Sequence, residues 1–183
     1  MQKILAFLLA LMLLTAAGAD QTANTYVLSE KSFSVTAPEG WKIQEAEKPA
    51  DFGSGEFLTL CSFTYGYTEA ELLMGNFSNS LGAFNLFDAG TDLYDVFTQY
   101  IEYGLTTDQG SCTYIGCHKA GQIPFAVFEI SDAYSVESYV AVTCAKGWLI
   151  LFACEHMSLD PTNPLEGLQN LFALLDGFTP ALS

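Results

Sequence analysis

The stretch that decides the fold is Thr113–Glu155, TYIGCHKAGQIPFAVFEISDAYSVESYVAVTCAKGWLILFACE. It is rich in β-branched and aromatic residues and is broken at Ala120-Gly121-Gln122, at Asp132-Ala133-Tyr134-Ser135 and at Lys146-Gly147. The pieces Thr113–Lys119, Ile123–Ser131, Val136–Ala145 and Trp148–Glu155 read as strands, and each break is short enough for a hairpin, so the stretch predicts an antiparallel meander. The last two strands are apolar on both faces, with Val140 and Val142 followed by Leu149, Ile150, Leu151 and Phe152. Such strands belong in the middle of a sheet that is covered on both sides. If Lys146-Gly147 is a two-residue turn, Ala145 opposes Trp148, Cys144 opposes Leu149 and Cys154 opposes Tyr139. Cys144 and Cys154 then face opposite ways.

Upstream, Thr25–Ser29 and Ser32–Ala37 read as extended, the second with Phe33, Val35 and Ala37 on one side. Pro38-Glu39-Gly40 turns the chain, Trp41 and Ile43 resume it, Glu45–Gly55 reads as a loop, and Glu56–Tyr65 as a third strand. Thr68-Glu69-Ala70-Glu71 has the spacing of a capping box and predicts a short helix to about Met74. Gly75–Gly90 reads as a long Gly-, Asn- and Ser-rich loop carrying Phe77, Phe84 and Phe87. Leu93, Val96, Phe97, Tyr100 and Ile101 recur at helical spacing and predict one buried helix face, with Thr91 as cap and Gly104 closing the helix in the left-handed conformation. Asn163-Pro164-Leu165-Glu166 predicts the start of a last helix, buried through Leu168, Leu171, Phe172 and Leu175 and ended by Gly177, with Phe178 packing back. The expected fold is α+β. It has an antiparallel sheet of about six or seven strands, helices packed on both faces, and the order β-β-β-α-β-β-β-β-α.

The 183 residues are half apolar and 14% aromatic, which excludes a disordered chain and fits one domain. Six lysines, no arginine and 21 acids leave a net charge of −15. Nucleic acid, anionic lipid and phosphorylated ligands are poor partners for such a surface, and bidentate guanidinium clamps are impossible. Lys3, the apolar run Ile4–Leu14 and Ala17-Gly18-Ala19 have the layout of a secretory signal peptide cleaved near Ala19, too short in its apolar part to span a bilayer. Residues 1–19 are read as that leader and 20–183 as one domain. The mature protein is expected to be secreted or periplasmic, off the membrane, and monomeric through its own charge repulsion.

Phe33-Ser34-Val35-Thr36-Ala37-Pro38-Glu39-Gly40-Trp41 resembles the strand and Pro-x-Gly-Trp turn of the PsbP-like family. That family includes Ran-binding Mog-type relatives and exported bacterial proteins of the DcrB type. The helix, four-strand meander and final helix, and the ending Asp176-Gly177-Phe178, are similar to the family as well. The resemblance implies an antiparallel sheet between helices and a binding or assembly role rather than catalysis. It brings no catalytic set, and the basic and partner-specific surfaces of some relatives have no counterpart in a chain without arginine.

Several residues carry chemistry that could define a site. The cysteines Cys61, Cys112, Cys117, Cys144 and Cys154 are odd in number, contain no C-x-x-C, and leave their pairing open; burial as small apolar fillers is the simpler reading. Cys112 and Cys117, five apart, are expected on opposite strand faces. Cys154 and His156 share a face, the spacing of two metal ligands or of a thiol–imidazole pair, but no further ligands are placed with them. Cys117 and His118 point apart. Asp88, Asp92 and Asp95 lack the spacing of a calcium loop and suit a helix start. No cofactor is implied, and the chain leans away from an enzyme. The expectation is an exported, non-catalytic domain that binds a protein or peptide at the cell surface or in the periplasm, with Phe77, Phe84 and Phe87 as contact residues. A small metal protein or hydrolase using Cys154 and His156 is the alternative, and a carrier of a small apolar ligand a further one.

Overall fold

The computed structural model describes residues 25–28, 33–46, 55–87, 93–106, 111–131, 137–157, 163 and 165–180. The expected leader at residues 1–19 lies outside them, as do Thr91, Asp88 and Asp92.

Among the described residues, ten strands and three helices follow one another: β1 Thr25–Leu28, β2 Phe33–Thr36, β3 Lys42–Glu45, β4 Phe57–Tyr65, β5 Thr68–Asn76, α1 Ser78–Leu81, α2 Tyr94–Leu105, β6 Ser111–Ala120, β7 Ile123–Ser131, β8 Glu137–Ala145, β9 Trp148–His156, α3 Glu166–Asp176 and β10 Phe178–Pro180. They form a seven-stranded sheet in the order β3-β4-β5-β9-β8-β7-β6 and a three-stranded sheet in the order β1-β2-β10. Every pairing is antiparallel. The fold is therefore sheet-rich and roughly α+β, with two sheets where the sequence predicts one.

The β8–β9 hairpin has the register a two-residue turn imposes, with Ala145 opposite Trp148, Cys144 opposite Leu149 and Cys154 opposite Tyr139. Lys146 and Gly147 both adopt positive φ, 51° and 83°, the backbone that matches the twist of the strands it joins. β9 is the middle strand of seven. Leu149, Leu151 and Ala153 enter one apolar cluster with Phe97, Ile101 and Leu105 of α2 and Leu81 of α1. Ile150, Phe152 and Cys154 enter another with Leu171, Leu174 and Leu175 of α3 and with Tyr26, Phe33, Val35 and Phe178 of the small sheet.

The segment after Tyr65 overturns the expected order. Thr68–Met74, predicted as a helix from its capping-box spacing, lies in strand β5, so among the described residues five strands precede α1. Tyr65 pairs with Thr68 around a turn in which Gly66 takes φ 57°. The local capping signal is worth about 1 kcal/mol. Burial of Ala70, Leu72 and Met74 on one face and Leu73 on the other outweighs it. The Gly75–Gly90 segment is likewise not structureless. It holds the end of β5 and the short α1, and Asn85 bridges Ala145.

Helix ends differ from expectation too. Gly104 lies inside α2 without a positive φ, and the helix stops at Leu105, where Thr106 turns extended and returns its N–H to the Glu102 carbonyl at 3.1 Å. The N-cap position of α3 is Leu165 rather than Asn163.

Gly177 ends α3 as expected, for a reason the sequence does not show. Thr36 donates its N–H to the Gly177 carbonyl at 2.9 Å, and a Cβ on Gly177 would fall on the Thr36 carbonyl oxygen. The contact joins α3 to the small sheet, where β10 pairs with β2. Gly177 has φ −84°, which alanine adopts freely. Helix propensity alone would therefore favour Gly177→Ala, but the clash predicts a loss of about 1–3 kcal/mol. Denaturant unfolding measures it, and an unchanged midpoint would contradict the close approach.

Candidate functional site

Cys154 and His156 both project from β9 toward α3, yet each is drawn into separate packing. The Cys154 thiol lies 3.7 Å from the Gly167 carbonyl. His156 is 3% exposed. Its Nδ1 is 2.9 Å from the Thr68 hydroxyl, which accepts the Asn170 side-chain N–H at 2.7 Å. Nε2 is buried without a hydrogen-bond partner, with the nearest Glu166 carboxylate oxygen at 3.8 Å. Among the described residues no three His, Cys, Asp or Glu side chains converge to hold a metal ion. The histidine instead ties β5, β9 and α3 together. His118 does the same at the other end of α3, with Nε2 2.8 Å from Asp176 and its ring stacked on Phe172.

The five cysteines fall on four strands, Cys61 on β4, Cys112 and Cys117 on β6, Cys144 on β8 and Cys154 on β9. Cys61, Cys112, Cys144 and Cys154 are buried and Cys117 is exposed. Cys144 and Cys154 sit in clusters on opposite faces of the sheet, as their register requires. The expectation for Cys112 and Cys117 needs correction. A bulge between Tyr114 and Gly116 shifts the alternation, so Cys112, opposite Ile130, and Cys117, opposite Ala126, share a face. They remain more than about 10 Å apart along the strand, too far to bond. Burial pushes the Cys112 thiol up to about 12 and the Cys144 thiol up to about 11. Cys61 is raised by burial and then by Glu45 and Glu71. These thiols stay protonated at neutral pH and are poor nucleophiles. A native thiol titration should therefore count one fast-reacting group, and the denatured reduced protein five. Loss of the fast group in Cys117→Ser checks the assignment, and two or more fast groups in the native protein would contradict it.

Glu71 lies on the α2 side of β5, opposite Ser62 and Ala153, with one carboxylate oxygen buried and unbonded. Burial first, and the neighbouring Glu69 second, raise its pKa. The folded state thus holds this proton more tightly than the unfolded chain. The resulting stability is complete below the usual carboxylate range and is lost as pH rises through the raised value. Glu71→Gln is expected to melt higher than the parent at pH 7, with the gap closing toward pH 4. A gap that is constant across this range would contradict the assignment.

The expected contact residues do not form one patch. Phe77 and Phe84 are half-buried on the α2 side of the sheet, their rings 5.0 Å from Phe57 and 5.6 Å from Phe97. Phe87 is half-buried on the α3 side, its ring 6.2 Å from Phe178. Gly75 makes room for Phe77, since a Cβ there would lie 2.5 Å from that ring.

The apolar surface lies on α2 instead. Phe97, Thr98, Ile101 and Leu105 are buried. Leu93, Val96 and Tyr100, predicted on the buried face, are exposed at 38%, 54% and 41%, and Tyr103 is exposed at 79%. The apolar arc of this helix is wider than the sheet can cover. Leu93, Val96, Tyr100 and Tyr103 recur at i, i+3, i+7 and i+10, the spacing of one continuous seam. On the Glu102 and Tyr94 flank of α2, Tyr114 of edge strand β6 is partly exposed, its N–H bonded to the Glu102 carboxylate at 2.9 Å and its hydroxyl 3.3 Å from that of Tyr94.

The seam leads into a pocket of about 250 Å³ between α1, α2 and the sheet. Phe57, Phe77, Leu81, Ile101, Leu105, Val142, Leu149 and Leu151 line it, with Tyr100, Ser80 and Gly104. Among the described residues no charged side chain contributes to the wall. Sequence periodicity finds the wide apolar arc of α2 but not which part stays outside, and the pocket joins elements that sequence reasoning left in separate pieces.

No protein-family model matches the chain, and no curated protein does. Among solved structures it is similar to the solution structure of cyanobacterial PsbP (CyanoP) from Synechocystis sp. PCC 6803, with 15% identity, 92% of this chain and 99% of that chain covered, and a TM-score of 0.49.

Proposed function

We propose that this chain is an exported, non-catalytic domain of PsbP-like type that binds a protein or peptide partner through the outer face of α2. The observation that carries the reading is the exposed seam Leu93, Val96, Tyr100 and Tyr103. Contiguous apolar surface of this kind, rich in tyrosine, is typical of the centres of protein interfaces. The export signal read at residues 1–19 supports a site of action outside the cytosol, and no helix among the described residues is long and apolar enough to cross a membrane. The PsbP-like assignment is supported by the Pro38–Trp41 turn. There Gly40 takes φ 89°, Trp41 returns its N–H to Pro38 at 3.3 Å, and the indole stacks on Tyr65. The apolar pocket favours a second reading, a carrier of a small apolar ligand.

The double variant Val96→Glu, Tyr103→Glu tests the first reading. Both side chains are exposed, so the melt should move by no more than a surface substitution does, roughly 0.5 kcal/mol each. Cross-linking on producing cells should capture one dominant species with the parent chain and at least about tenfold less with the variant. Equal capture by both, or no species captured by the parent, would overturn the reading.

A further inference from the structure

We infer that the pocket at the end of the α2 seam receives one bulky, uncharged side chain of a partner segment, and that the segment carries basic residues beside that anchor. The inference rests on the partner-binding reading and gives the partner its chemistry.

Size sets the anchor. A cavity of about 150 Å³ lined by apolar side chains accommodates benzene. The pocket here measures about 250 Å³, room for an aromatic ring up to an indole. Its wall offers the faces and edges of Phe57 and Phe77 and the branched chains of Leu81, Ile101 and Leu105, with no counter-ion among the described residues. A charged anchor would be desolvated there without compensation. Ser80 and Tyr100 are the polar side chains of the wall, suited to the N–H of an indole or to the backbone that carries the anchor. Gly104 contributes backbone alone, although glycine inside a helix costs about 1 kcal/mol relative to alanine.

Charge sets the flanks. α2 carries no basic residue. Glu56 precedes Phe57, and Lys146 is the one base of the β8–β9 turn, whose Gly147 abuts Ser78 of α1. The whole chain stands at −15. A segment with lysine or arginine beside its anchor is drawn to this field, and an acidic one is repelled.

The test is an NMR titration of the intact mature protein with three acetylated, amidated peptides: Lys-Lys-Trp-Lys-Lys, Lys-Lys-Ala-Lys-Lys and Glu-Glu-Trp-Glu-Glu. The basic Trp peptide is expected to move the amides of Leu81, Ile101, Gly104 and Leu105 and to bind at least about tenfold tighter than either control, with affinity falling as salt rises. Gly104→Leu and, on the exposed rim, Ser80→Trp should each remove the Trp-dependent part, the melt of each variant reporting that it is folded. Equal binding of the Trp and Ala basic peptides would overturn the inference. So would binding of free indole without binding of the basic Trp peptide, or a stoichiometric apolar molecule released from the purified protein, since either makes the pocket a small-molecule site. If Val96→Glu, Tyr103→Glu abolishes capture and Gly104→Leu and Ser80→Trp do not, the pocket inference falls and the seam reading stands.

Discussion

β9 has to bury both of its faces. Leu149, Leu151 and Ala153 point to one side and Ile150, Phe152 and Cys154 to the other. Each large apolar side chain left in water forfeits about 1.5–3 kcal/mol, so neither face can stay open. Its neighbours β5 and β8 share the requirement, with Leu72 and Leu73 adjacent in one and Val140 and Ala141 in the other. The arrangement of the rest of the molecule follows. α1 and α2 contribute to the cover of one side, and α3 with the three-stranded sheet to the cover of the other.

The two covers are built differently. On the α3 side the helix is held by polar contacts at both ends, His156 with Thr68 and Asn170 near its start and His118 with Asp176 at its finish. The small sheet closes against it through Gly177 and Phe178, whose ring lies 5.2 Å from both Phe33 and Phe125. Hydrogen bonds and rings together make this side tightly specified. On the α2 side the cover is narrower. α2 buries one stripe and leaves a second apolar stripe outside, and the four-residue α1 leaves a pocket against the sheet. The asymmetry sets the two sides apart: the α3 side is well closed, and the α2 side leaves apolar area exposed.

Much of the meander was legible in the sequence because hairpin turns are local. Lys146-Gly147 dictates the register of two strands by its backbone alone, and that register sends Cys144 and Cys154 to opposite faces. Thr68–Met74 reads as a helix by its capping box because that signal is also local, and what opposes it is not. What makes it a strand is pairing with β4 and with β9, some eighty residues away. The Tyr65-Gly66-Tyr67 turn and the alternation Thr68, Ala70, Leu72, Met74 were the available signals. Cys112 and Cys117 show the same limit on a smaller scale, since one bulge reverses a parity argument that assumes an unbroken strand.

The sequence by itself determined the acidic, arginine-free composition, the antiparallel meander and the amphipathic character of the last two helices. Each depends on composition or on neighbours within a few residues. Only the tertiary structure decided that β2 joins β10 in a second sheet, that Phe77 lines a pocket while Phe87 faces the other side, and that Leu93, Val96 and Tyr100 stay in water. These are questions of how much area one element can cover on another, and a periodic pattern records which residues are apolar without recording the width of the surface they meet.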